Sequence, residues 1–169
     1  DDRTSRGLGD VYKRQGATVV MADILTELVE QEAKQLQQQG LGVHAVGLDL
    51  SQPESIRSAV QFAADKLNGL DGLVNCAALA TGVGGKDLMQ YDPDLWDRVM
   101  TVNVKGTWLM VQACVPYLKQ SGAAKIINVA SDTALWGAPK LMAYVASKGA
   151  IISMTRSMAV SYTHLTLPT

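Results

Sequence analysis

At 169 residues and 18.1 kDa the chain is long enough for one domain with a hydrophobic core. Its charge is nearly balanced, with 15 basic and 16 acidic residues and no basic block, so a nucleic-acid footprint is absent. No apolar run approaches the roughly 20 residues that span a bilayer, and no signal-peptide pattern opens the chain. Cys76 and Cys114 lack Cys-x-x-Cys spacing and read as reduced thiols of a cytoplasmic protein. His44 and His164 have no companions at metal-ligand spacing, so no metal site is expected.

Residues 16–160 alternate strand and helix signals at the rhythm of a parallel α/β sheet. The run at 17–23 reads as a buried strand ending in the acid Asp23. A helix follows over 26–39, with Leu25, Leu28, Val29 and Leu36 at helical spacing and Gly40 closing it. Residues 43–50 read as a second strand that includes His44. Ser51-Gln-Pro-Glu54 has the form of a capping box, opening a helix whose inward face is Ile56, Val60, Ala63 and Leu67. A third strand is expected over 70–75. Asp92-Pro93 then starts a long helix to about Leu118 that carries Val99, Val102, Met110 and Cys114. A fourth strand over 124–130 and a helix over 140–159 complete the pattern. The stretches 1–15 and 161–169 break it and are expected to be non-native or disordered ends.

The chemistry-bearing feature is the run YVASK, which sets Tyr144 and Lys148 four residues apart on one helix face. An ammonium so close favours the phenolate and draws a Tyr pKa down from its reference of about 10. Such a Tyr can exchange a proton with an alcohol or carbonyl oxygen at ordinary pH. Ser131, thirteen residues before Tyr144 at the end of an apolar run, could hydrogen-bond the same oxygen.

In this order of elements the chain resembles the short-chain dehydrogenase/reductase family over about residues 16–160. Tyr144 and Lys148 match the family's Tyr-x-x-x-Lys, Ser131 its catalytic serine, and Asn103 (within VNVKG) its helix asparagine. Asn75-Cys76-Ala77-Ala78 is similar to the family's Asn-Asn-Ala-Gly turn, with Ala78 in place of Gly. Asp49-Leu50 matches the pair that approaches the adenine ring. The resemblance implies a doubly wound, Rossmann-like parallel sheet and hydride transfer between a secondary alcohol or ketone and a nicotinamide. It implies Tyr144 as general acid/base, Lys148 on the nicotinamide ribose, Ser131 on the substrate oxygen, and Asn103 anchoring a water that connects Lys148 to solvent. By the same match, Asp23, Ile24, Asp49, Leu50, Asn75, Ala77 and Val102 border the cofactor together with Tyr144 and Lys148. Asp23 ends its strand with no Arg or Lys close behind, which favours NAD over NADP. The helices at 93–118 and 140–159 would pack against a second copy in a dimer or tetramer.

The family's Thr-Gly-x-x-x-Gly-x-Gly loop is not matched, because Arg3 falls where the first glycine belongs and no strand precedes it. The six residues between Gly9 and Gly16 span roughly 9 Å as helix, too little to recross a sheet. The expected fold is therefore this doubly wound sheet lacking its first strand and its C-terminal strands. The complete protein is expected to be an NAD-dependent enzyme, and this fragment alone to be inactive. Competing readings are an NADP-linked ketoacyl reductase, disfavoured by Asp23, and a sugar-nucleotide epimerase, disfavoured by the short motif spacing. A non-catalytic dinucleotide-binding scaffold would need none of Asn103, Ser131, Tyr144 and Lys148.

Overall fold

The computed structural model describes residues 16–163. Strands β1 (Val19–Asp23) and β2 (Val43–Gly47) pair in parallel, with Val19 opposite Val43 and Asp23 opposite Gly47. Strands β3 (Gly72–Asn75) and β4 (Lys125–Asn128) form a second parallel pair, with Gly72 opposite Lys125 and Asn75 opposite Asn128. Among the described residues the two pairs are separate sheets. Residues 1–15, which would hold the first strand and the glycine loop, lie outside the described residues.

Parallel neighbours need long crossovers, and helices supply them. Helix α1 (Thr26–Gln38) joins β1 to β2 and buries Val29 and Ala33, one turn apart. Of the residues at helical spacing, Val29 is buried, whereas Leu25 and Leu28 are exposed. Helix α2 (Pro53–Leu67) follows β2, with Pro in its first turn. It ends at Asn68 in the left-handed region (φ 54°), where the Gly69 N–H returns to the Ala64 carbonyl. Helix α3 (Pro93–Met100) runs through a π-helical segment (Thr101–Gly106) into α4 (Thr107–Leu118). The single helix expected over 93–118 is thus interrupted where one wider turn is inserted. A short α5 (Thr133–Trp136) and the long α6 (Met142–Thr163) follow β4, and α6 runs past the expected end at 159.

The main core lies where α2 and α4 cover the strands, with Ile56, Val60, Met110 and Cys114 at its centre. Leu73 of β3 and Ile126 of β4 point into it, while their neighbours Val74 and Ile127 face the other way and are 37 % and 41 % exposed. The Ser51 capping box does not form. Asp49 Oδ1 accepts hydrogen bonds from both the N–H and the hydroxyl of Ser51, so Gln52 becomes the residue before the helix and makes no side-chain cap. Glu54 turns outward to pair with Arg57.

Gly106 marks the tightest approach to this layer. A Cβ placed there would stand 2.8 Å from both the Cβ and the carbonyl oxygen of Leu50. Gly106→Ala gains helix propensity of about 1 kcal/mol. The collision with backbone outweighs this gain, so the substitution is expected to lower stability by about 1–3 kcal/mol in denaturant unfolding. An unchanged or raised midpoint would contradict the packing.

Candidate active site

Four chain segments converge beside the carboxyl ends of the strands, where ligands of doubly wound sheets bind. The first is the tip of β1. Asp23 Oδ1 accepts from the Leu25 N–H at 2.9 Å, fixing the carboxylate at the start of the turn, and Ile24 beside it is 66 % exposed. Asp49 and Leu50 follow β2; the Asp49 carboxylate serves the Ser51 turn, and Leu50 lies against Gly106.

The second segment leaves β3. Asn75 Nδ2 donates to Asn128 Oδ1 at 2.9 Å, and Asn128 Nδ2 donates to Thr155 Oγ1 of α6 at 3.0 Å. This polar line ties β3, β4 and α6 into one register. Ala77 is exposed and Cys76 half-buried. Burial raises the Cys76 thiol above its ordinary pKa; the Asp23 carboxylate adds to the rise and the Lys148 ammonium opposes it.

The third segment is α6. Lys148 is only 4 % exposed, and its Nζ donates to the Val129 carbonyl at 2.8 Å. The same ammonium stands 5.8 Å from the centre of the Tyr144 ring. Burial lowers the Lys148 pKa, with the neighbouring Cys76 working against the shift. Tyr144 packs against a small apolar cluster around Val83, Val99 and Ala143.

The fourth is the π-helical segment. Asn103 is 2 % exposed. Its Oδ1 accepts from the Leu79 N–H at 2.7 Å, and its Nδ2 donates to the Leu79 carbonyl and to Ser147 Oγ at 3.2 and 3.0 Å. The side-chain amide thus grips the loop after β3. Val102, beside it, is half-buried.

Ser131 lies three residues past the end of β4. Its Oγ lies 2.8 Å from Thr133 Oγ1 and accepts from the Thr133 N–H, in the turn that opens α5; no hydrogen bond joins it to Tyr144. Of the expected residues, Tyr144, Lys148 and Asn103 are gathered around α6, while Asp23 lies at the tip of β1. Ser147 was not among the expected site residues. Its signal was available, since it lies three residues after Tyr144 and beside Lys148, but a helical serine carries no chemistry of its own in sequence.

Parallel strand pairs crossed by helices, with polar side chains gathered at their tips, make this a Rossmann-type α/β protein. The chain belongs to the short chain dehydrogenase family, whose family model matches residues 5–166. It is 36% identical over 149 residues to 2-(S)-hydroxypropyl-CoM dehydrogenase 3 of Xanthobacter autotrophicus, covering 88% of this chain and 57% of that protein. It is 33% identical over 147 residues to cyclopentanol dehydrogenase of Comamonas testosteroni, covering 87% and 58%. The crystal structure of 3-ketoacyl-(acyl-carrier-protein) reductase from Brucella melitensis complexed with NADH superposes with a TM-score of 0.86 at 31% identity, over 94% of this chain and 65% of that one. The chain thus spans less than three-fifths of the length of these two curated relatives.

The two thiols give a direct check on burial. The Cys114 pKa is pushed up to about 12 by burial in the main core, and that of Cys76 is raised less. Because the thiolate is the nucleophile, alkylation near neutral pH should be slow at both, and raising the pH should label Cys76 before Cys114. Mass-spectrometric labelling that reached Cys114 before Cys76 would contradict the geometry.

Proposed function

We propose that this chain carries the cofactor-binding and proton-transfer part of an NAD-dependent oxidoreductase that interconverts a secondary alcohol and a ketone. The observation that carries the reading is the buried Lys148 ammonium, held by the Val129 carbonyl beside the Tyr144 ring. Cyclopentanol and the 2-hydroxypropyl group, named for two relatives, are both secondary alcohols. The donor set suits a dinucleotide, with the Asp23 carboxylate at the tip of β1 and the Lys148 ammonium on α6. When bound, the nicotinamide supplies the hydride acceptor or donor.

This chain's residues would do the rest. Tyr144 would take the hydroxyl proton as the alcohol is oxidised and return it to the oxygen in the reverse direction. Lys148 would favour the phenolate electrostatically and hydrogen-bond the nicotinamide ribose. Ser131 would orient the substrate oxygen. Asn103 would hold the loop after β3 against α6, with the role of water anchor assigned to it by family resemblance. Asp23 would accept hydrogen bonds from the adenosine ribose. Asp49, Leu50, Asn75, Ala77, Val102 and Ile24 would line the remaining cofactor contacts.

The two free cysteines fit a reducing, cytoplasmic setting. A dimer or tetramer is proposed through α3, α4 and α6. There Trp108 is 46 % exposed, at an open groove of about 590 Å³ that Met100, Val104 and Met154 also line.

Tyr144→Phe in the full-length protein should lower kcat at least about 100-fold, while the NADH dissociation constant, followed by fluorescence titration, stays within about threefold. Retained turnover would remove Tyr144 from the chemistry; tight NADH binding by a wild type that oxidises no alcohol would favour the scaffold reading.

Cofactor choice is a separate outcome. A 2′-phosphate set against the Asp23 carboxylate is repelled, so kcat/KM with NAD should exceed that with NADP at least about tenfold, and Asp23→Ser should narrow the gap. A wild-type preference for NADP would favour the ketoacyl reductase reading.

A further inference from the structure

We infer that Ser147 is a positioning residue, tying the loop that borders the cofactor cleft to the turn of α6 that carries Tyr144 and Lys148. This rests on the oxidoreductase reading for its consequence, though not for the tie itself. Ser147 is fully buried, at 0 % exposure, between the two residues it would position. Its hydroxyl donates to the Tyr144 carbonyl at 2.7 Å and accepts from Asn103 Nδ2 at 3.0 Å. Asn103 in turn holds both backbone groups of Leu79, four residues past the end of β3. One unbroken line therefore runs from the Leu79 backbone through the Asn103 amide and the Ser147 hydroxyl to the Tyr144 carbonyl.

The arithmetic of donors and acceptors makes this line demanding. A serine hydroxyl has one hydrogen to give, and here it goes to Tyr144. An asparagine amide has two, and both are used, one on Leu79 and one on Ser147. Removing the serine oxygen takes the partner from one donor of an amide that is only 2 % exposed, so the Asn103 side chain gains reason to rotate away from Leu79. Helix propensity does not explain a serine here, since alanine would be preferred in the interior of a helix. Tyr144 is moreover the third residue of α6, in the turn where helices fray unless held. A phenol that must meet a substrate oxygen loses turnover steeply for small displacements.

The test uses the full-length protein with Ser147→Ala and Ser147→Cys, the second filling the site with a poor hydrogen-bonding group. Both should lower kcat by roughly tenfold or more, since geometry and not binding is lost. The NADH dissociation constant should stay within about twofold, because no cofactor contact is removed. Amide hydrogen exchange over residues 77–80, on a different element from the substitution, should speed up by about tenfold as Leu79 is released. Asn103→Ala combined with Ser147→Ala should cost no more turnover than Asn103→Ala alone, because the two act in series. Unchanged exchange with unchanged kcat overturns the inference, as does a multiplicative double variant. Failure of both single variants to fold assigns Ser147 to stability alone and also overturns it. A wild-type protein without turnover on any alcohol defeats the oxidoreductase reading instead, and the exchange rates at 77–80 still decide whether the tie exists.

Discussion

A positive charge placed out of reach of water constrains everything around it. Burying the Lys148 ammonium is tolerable only if its hydrogens find fixed acceptors. The Val129 carbonyl is such an acceptor, and its own position is not free. The Val129 N–H donates to the Asn75 carbonyl at 2.9 Å, extending the β3–β4 ladder one residue past the strands, while its carbonyl receives Lys148 at 2.8 Å. A single residue is thereby held on both sides, by β3 and by α6. The Asn75–Asn128–Thr155 line repeats the link further along α6. The tyrosine, one turn before the lysine, inherits its place from the strands.

The same logic extends to the other side of the molecule. β1 and β2 carry Asp23, and their ladder continues to the Leu48 N–H on the Asp23 carbonyl. No backbone hydrogen bond among the described residues joins this pair to β3 and β4. The two pairs are held in one body by the shared layer of α2 and α4, whose Ile56, Val60 and Met110 pack over strand residues from both pairs, Val46 and Ile126 among them. Apolar contact is not directional, so one helical layer can cover strands of both pairs. On the opposite face of β3 and β4, Val74 and Ile127 remain partly exposed.

Much of this was legible in the amino-acid order, and the exceptions have causes. The strands ending at Asp23 and Asn75 and the helix carrying Tyr144 and Lys148 were visible because each has a strong local signal: an apolar run, a cap or a helical repeat. Ser51 misled because two side chains competed for the same backbone. Asp49, nearer to the N–H of Ser51, took it, and a capping box cannot form once its serine hydroxyl is committed elsewhere. Leu25 and Leu28 misled because helical spacing marks an apolar stripe without saying what covers it, and the buried pair proved to be Val29 and Ala33. The bond between Asn103 and Ser147 spans 44 positions and depends on tertiary packing, so no local pattern encodes it.

The π-helical segment shows why one irregular turn was needed. Three contacts must leave Thr101–Gly106 in different directions: the Asn103 amide toward Leu79 and Ser147, Gly106 onto Leu50, and the chain onward into the core helix α4. Widening the helix by one residue rotates α4 relative to α3, and also disturbs the backbone ladder between them. The Thr107 N–H bonds to the Val104 carbonyl, and the Thr107 hydroxyl donates to the Asn103 carbonyl at 2.8 Å. A buried threonine thus repairs the opening that lets a buried asparagine face the loop. A regular helix through the same residues would keep its ladder and turn either Asn103 or Gly106 away from its partner. The irregularity is therefore tied to the two residues that bring the loop after β3 and the second strand's turn against the helices.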